Sequence, residues 1–144
     1  MPTSLKNKVP LKKLGLYKKE KLCSAVAIDQ LFGHGGAEFA RLAYPLRMVA
    51  RNNPRRKSDA TVQFLISIPK KRLHHAVDRV LMRRRTREAY RLLHQNHPLP
   101  ADCRFDVAFV YVGTKIEPYK AIERAMTRLL AALEEYSRKD NEMA

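Results

Sequence analysis

Acidic side chains are scarce in this chain. Only 14 Asp and Glu stand against 29 Lys and Arg in 144 residues, a formal charge of +15 with a pI near 10.2. Such an excess repels itself unless a polyanion is nearby, so nucleic acid leads the possible partners and an anionic membrane follows. Long apolar runs are missing too: none approaches the roughly 20 residues that cross a bilayer. The start, "MPTSLKNKVPLKKLGLYKKEK", is basic but has no apolar centre, which argues against a secretory signal. Cysteine is nearly absent. Cys23 and Cys103 could form at most one disulfide, and two free thiols in a reducing cytosol is the plainer reading. Internal repeats are absent, as is low complexity beyond the basic start.

What is present suffices for one domain. Hydrophobic residues make up 45% of the chain, enough for a core. Residues 1–20 are expected to be a flexible basic arm, 21–138 a single α+β domain and 139–144 a tail. Ser24 can cap a short helix through about Phe32, which Gly33 stops, and "GHGG" continues as a loop. Apolar residues at 42, 44, 46 and 48 alternate with Pro45 and Arg47, predicting a strand at an edge or ending at the proline. Residues 51–59, "RNNPRRKSD", read as a polar turn. Val62, Phe64, Ile66 and Ile68 mark a second strand, ended by Pro69. The stretch "RFDVAFVYV", 104–112, is apolar on both faces after Asp106 and predicts a central strand. Pro118 opens a last, amphipathic helix with Ile122, Ala125, Met126, Leu129, Leu133 and Tyr136 at helical spacing. The expected fold is a small α/β sandwich: a mixed sheet of about four strands, a short N-terminal helix, a long Arg-rich helix and the C-terminal one.

The long helix, about residues 74–95, contains "RVLMRRRTREAYR". Arg79, Arg83, Arg87 and Arg91 form one i, i+4 row, about 6 Å per step. Val77, Leu81, Met82, Ala89, Leu92 and Leu93 are expected to face the sheet. Val80 falls in the middle of the basic arc, where it has nothing to pack against. A solvated face normally mixes signs, because like charges at i, i+4 cost a few tenths of a kcal/mol per pair. An unmixed row, with Arg84 and Arg85 beside it, therefore points to phosphates, and Arg rather than Lys favours bidentate contact and base stacking.

These residues carry a resemblance. The block "FLISIPKKRLHHAVDRVLMRRRTREAYRLL", 64–93, resembles the signature of the bacterial ribonuclease P protein subunit. Ser67, Lys70, Lys71, Ala76, Val77, Arg79, Arg83, Arg84, Arg87, Glu88, Ala89, Tyr90 and Arg91 fall in register with it. More loosely, "LGLYKKEKL" and "IDQLFGHG" are similar to the family's basic start and first helix, and "RFDVAFVYVG" to the strand after the signature helix. The chain departs at Val80 and Leu81, where the family has Asn and Arg, and at Ile28, where it often has an aromatic; Phe32 keeps the second aromatic. The resemblance implies the protein subunit of a ribonucleoprotein that removes the 5′ leader of precursor tRNA. The RNA subunit performs the hydrolysis with Mg²⁺ held by RNA and substrate, and this chain has no catalytic residue. The basic helix faces the catalytic RNA, and a cleft between helix and sheet holds the single-stranded leader. Phe32, and Tyr44 unless it packs in the sheet, would offer stacking surfaces. The residues expected to touch RNA are Lys18, Lys19, Phe32, Lys70, Lys71, Arg79, Arg83, Arg84, Arg87 and Arg91. A cytoplasmic location, no membrane and no obligate protein partner complete the expectation.

Other chemistries fit less well. Asp102 and Asp106 flank a strand entry, but no Glu-x-Lys follows at the spacing a metal nuclease needs, and Asp106 reads as a loop or sheet-end residue. His94 and His97 have helical spacing, but prolines separate them from Cys103 and no Cys pair exists, so a polar helix end is preferred to a zinc site. His74 and His75 suit RNA contact when protonated, and equally a capping or surface role. A structural RNA-binding protein of the ribosomal or double-stranded-RNA-binding type would explain the charge but not the matched helix. A DNA regulator would need a second short helix before the Arg helix.

Overall fold

The computed structural model describes Ile28, Leu31, Phe32 and residues 38–53, 61–100 and 103–143, the side chains of 140–143 excepted. Its elements are strands β1 (Phe39–Ala43), β2 (Leu46–Asn52) and β3 (Val62–Ser67), helix α1 (Ala76–Leu93), strand β4 (Phe105–Tyr111) and helix α2 (Tyr119–Met143). A single 3-10 turn, His94–Asn96, extends α1. The sheet order is β1-β2-β4-β3. Antiparallel β1–β2 and β2–β4 pairs combine with a parallel β3–β4 pair, so the sheet is mixed. As its two apolar faces predict, β4 is central.

Period-2 alternation sorts the strands onto two faces. Met48, Ala50, Phe64, Val107, Phe109 and Tyr111 point to the face where α1 and α2 pack, joined there by Met82, Ala89, Tyr90, Ile122, Met126, Leu129 and Leu133. Phe64 stacks on Tyr90 with centroids 4.2 Å apart, and Phe39 on Tyr136 at 4.5 Å. These two stacks hold α1 over the β3 side and α2 over the β1 side. Val49, Ala108 and Leu65 point the other way, where helical Leu31 is buried against them with Ile28 beside it. The sheet is therefore covered on both sides, and the described helical residues 28, 31 and 32 agree with the expected N-terminal helix. Ser24, Gly33 and the "GHGG" loop lie outside the described residues.

Three expectations need correction. The strand placed over 42–48 is a hairpin: Tyr44 and Pro45 form the turn between β1 and β2. Proline has no N–H for a ladder, and the chain reverses there. The turn segment expected from 51 begins later, because Arg51 and Asn52 still pair with Asp106 and Phe105. The Asn53 amide also donates to the Asp106 carboxylate at 2.9 Å. Finally, α2 runs on to Met143 through most of the expected tail, a stretch with no Gly or Pro to stop it. Among the described residues, no helix is long and apolar enough to cross a membrane.

Candidate RNA-binding surface

Helix α1 buries Met82, Thr86, Ala89 and Tyr90. Thr86 tolerates complete burial because its hydroxyl donates to the Met82 carbonyl at 2.8 Å. Leu81 and Leu93 pack partly against the same core. Val77 and Leu92, expected to face the sheet, do not: Val77 is 78% and Leu92 37% exposed. Thr86 and Tyr90 replace them in the buried stripe, which turns it by roughly 60° around the helix at 100° per residue. Val80 is 51% exposed, as the basic arc predicts.

That rotation sorts the arginines. Arg83, Arg84 and Arg87 are exposed, and so are Lys70 and Lys71 in the turn that leads into α1. Arg79 and Arg91, at the ends of the predicted row, are half-buried and engaged. Arg79 donates through Nη1 to the Leu73 and His74 carbonyls, both at 2.9 Å, tying the start of α1 to the loop before it. Arg91 meets Glu88 through Nε at 3.1 Å and Nη2 at 2.5 Å. That hydrogen bond holds the Glu88 carboxyl below the usual carboxylate range, against a smaller opposing push from desolvation. Arg85 points elsewhere and donates to the Glu117 carbonyl, joining α1 to the loop before α2. The solvent face of α1 thus presents Arg83, Arg84 and Arg87 in one exposed cluster rather than a four-membered row. Lys18 and Lys19 lie outside the described residues.

A second surface lies on the sheet face opposite the two helices. Leu31 covers its middle row, Ala40–Val49–Ala108–Leu65, and Phe32 beside it stays 50% exposed. The adjoining row, Leu42–Arg47–Val110–Ser67, has Leu42 and Arg47 exposed. Arg47 was readable only as a polar position alternating with apolar ones; its place beside an open row needs the strand register. Tyr44 is neither core nor part of a strand. It sits in the hairpin turn, exposed, and its hydroxyl donates to Glu117 Oε2 at 3.2 Å. The carboxylate and desolvation raise its pKa, desolvation contributing most.

The remaining candidates have structural places. Asp106 is buried near the end of the central strand, with Arg51 and Gln63 as cross-strand neighbours. His94 stacks on Tyr90 at 4.9 Å and its Nδ1 lies 2.9 Å from the Tyr90 carbonyl, finishing α1. His97 contacts Glu134 on α2 at 3.1 Å. His74 and His75 are exposed, and His75 occupies the helix N-cap position without a side-chain cap. Among the described residues, no three of His, Cys, Asp and Glu cluster as metal ligands.

Comparison with known proteins identifies the family. The family model described as Ribonuclease P matches residues 16–134. The protein described as "Ribonuclease P protein component" in two strains of Porphyromonas gingivalis is 35% identical over 122 residues, 81% of this chain and 84% of the relative. The solved structure of the Staphylococcus aureus RNase P protein is similar in fold, with a TM-score of 0.62 at 16% identity over 79% of this chain and 94% of that one. The matched segment contains the whole four-stranded sheet, helix α1 and most of α2, and the chain belongs to the ribonuclease P protein family.

Proposed function

We propose that this chain binds the catalytic RNA of ribonuclease P through the exposed face of α1 and the leader of precursor tRNA through the opposite sheet face. The observation that carries the reading is the cluster of Arg83, Arg84 and Arg87, exposed on one helix face, with Lys70 and Lys71 exposed in the turn that leads into that helix. Guanidinium forks set on a rigid helix match phosphate oxygens bidentately and lose little freedom on binding. The leader has a different need, since unpaired bases bind to flat apolar surfaces beside cations. Half-exposed Phe32, exposed Leu42 and exposed Arg47 supply those groups on one face of the sheet. Hydrolysis belongs to the RNA, with Mg²⁺ bound by RNA and substrate; this chain contributes affinity and position.

Salt dependence tests the helix assignment. Each lost phosphate contact should reduce the log–log slope of RNA affinity against salt by about 0.7–0.9. Arg83→Ala with Arg87→Ala should therefore flatten the slope for the RNA subunit by up to two such steps. An unchanged slope would return these arginines to an ordinary solvated surface. For the leader, Phe32→Ala should weaken precursor tRNA binding by about 1–3 kcal/mol while leaving leaderless tRNA unaffected.

A further inference from the structure

We propose that Val77, Val80, Leu81 and Arg84 form a docking site for one unpaired nucleobase of the RNA that α1 binds. The inference rests on the reading of α1 as an RNA-binding face and adds a contact that phosphates cannot explain. The four positions follow i, i+3, i+4, i+7 spacing and so lie side by side along the helix. With Ala76 they line a shallow depression. Val77 and Val80 are its exposed walls, and Leu81 forms the floor through its packing on the core. Single apolar residues scattered on a surface are ordinary, whereas Val77 and Val80 stand together with half-buried Leu81 beside them. The helix itself gains nothing from them, since β-branched valine is a poorer helix former than Lys, Glu or Gln.

Charge selects the occupant. The patch contains Arg84, with exposed Arg83 and Arg87 on the adjacent turns. An occupant must bring a flat apolar body together with negative charge. A nucleotide does both: its base lies on the valine methyls and the Arg84 guanidinium, and its phosphates reach Arg83 and Arg87. A second copy of this chain fits poorly, because a two-fold contact would set the same arginines against one another. A lipid surface also fits poorly. The other side of α1 is buried in the core, leaving a strip far narrower than the apolar face of a membrane-binding helix.

The chain has no tryptophan, so Val80→Trp places a single fluorescent reporter in the patch. Its emission should be quenched, and shielded from acrylamide, by a bacterial ribonuclease P RNA but not by an abasic strand of equal length. Separately, Val77→Ser with Val80→Ser should keep the thermal midpoint and weaken RNA binding about three- to tenfold, the loss expected for two small apolar contacts. Its salt slope should equal that of the wild type, because no phosphate contact is removed. Wild-type affinity in the serine variant, or a reporter blind to the RNA, would overturn the nucleobase site. Loss of self-association or of binding to anionic vesicles in the serine variant, with RNA binding intact, would overturn it equally. The arginine variant separates the two readings. If it flattens the slope while the serine variant binds normally, only the nucleobase site falls; if it leaves the slope unchanged, the RNA-binding reading of α1 falls as well.

Discussion

At the scale of single residues, the arginines of α1 are divided by their partners rather than by their type. Arg79 spends its donors on two backbone carbonyls, and Arg91 spends its own on Glu88, whereas Arg83, Arg84 and Arg87 face solvent. Glu88 therefore acts as a brake on one cation. Its carboxyl is held below the usual carboxylate range, so the pair is intact at neutral pH and weakens only as pH falls through that lowered value. Both partners are partly open to solvent, and the pair itself contributes little to stability. Glu88→Gln should release Arg91 towards RNA at neutral pH. The expected outcome is a slope against salt steeper by about 0.7–0.9, one phosphate contact, with little change in the unfolding midpoint. A slope that stays put would mean Arg91 does not reach a phosphate even when free.

At the scale of elements, legibility depended on whether a pattern survived folding. Strand β4 was readable as central because Phe105, Val107 and Phe109 serve one sheet face and Ala108 the other. The hairpin was not, because its two-residue turn keeps the spacing of apolar residues while reversing the chain. Leu42 and Leu46 look like one alternating strand, yet Leu42 is exposed on the open face and Leu46 is buried under the helices. Helix α1 was legible in length but not in orientation. Thr86 is polar by type and buried by virtue of its bond to the preceding turn, so an apolar wheel misses it and credits Val77 instead. The arginine cluster was legible in composition; which members are already engaged could only come from the packed neighbours. One element junction gives a stability prediction. The Tyr111 ring is buried and its hydroxyl donates to the Lys115 carbonyl, and burial, with the Glu117 charge, pushes its pKa up to about 12. A Cβ on Gly113 would stand 3.0 Å from that ring, which is buried and tied through its hydroxyl to the middle of the β4–α2 loop. Gly113→Ala should cost about 1–3 kcal/mol, the range for overpacking, read as a lowered denaturation midpoint. An unchanged midpoint would show that the loop, and with it the Arg85–Glu117 link to α1, can shift freely.

At the scale of the whole molecule, the sheet divides two kinds of surface: a cationic helix face on one side, and on the other the face that carries exposed Leu42 and Arg47 and is covered by Leu31. On the proposed reading, the +15 charge draws in RNA and the fixed elements decide where phosphates and unpaired bases sit. On that reading hydrolysis belongs to the RNA, so the chain should act only together with the catalytic RNA. The most direct measurement is leader removal from precursor tRNA by a bacterial ribonuclease P RNA at low Mg²⁺, with and without this protein, beside an RNA-free protein control. The account predicts that the protein markedly accelerates leader removal by the RNA and that the protein alone releases no leader. Specific leader cleavage by RNA-free protein, or an RNA indifferent to the protein's addition, would contradict it.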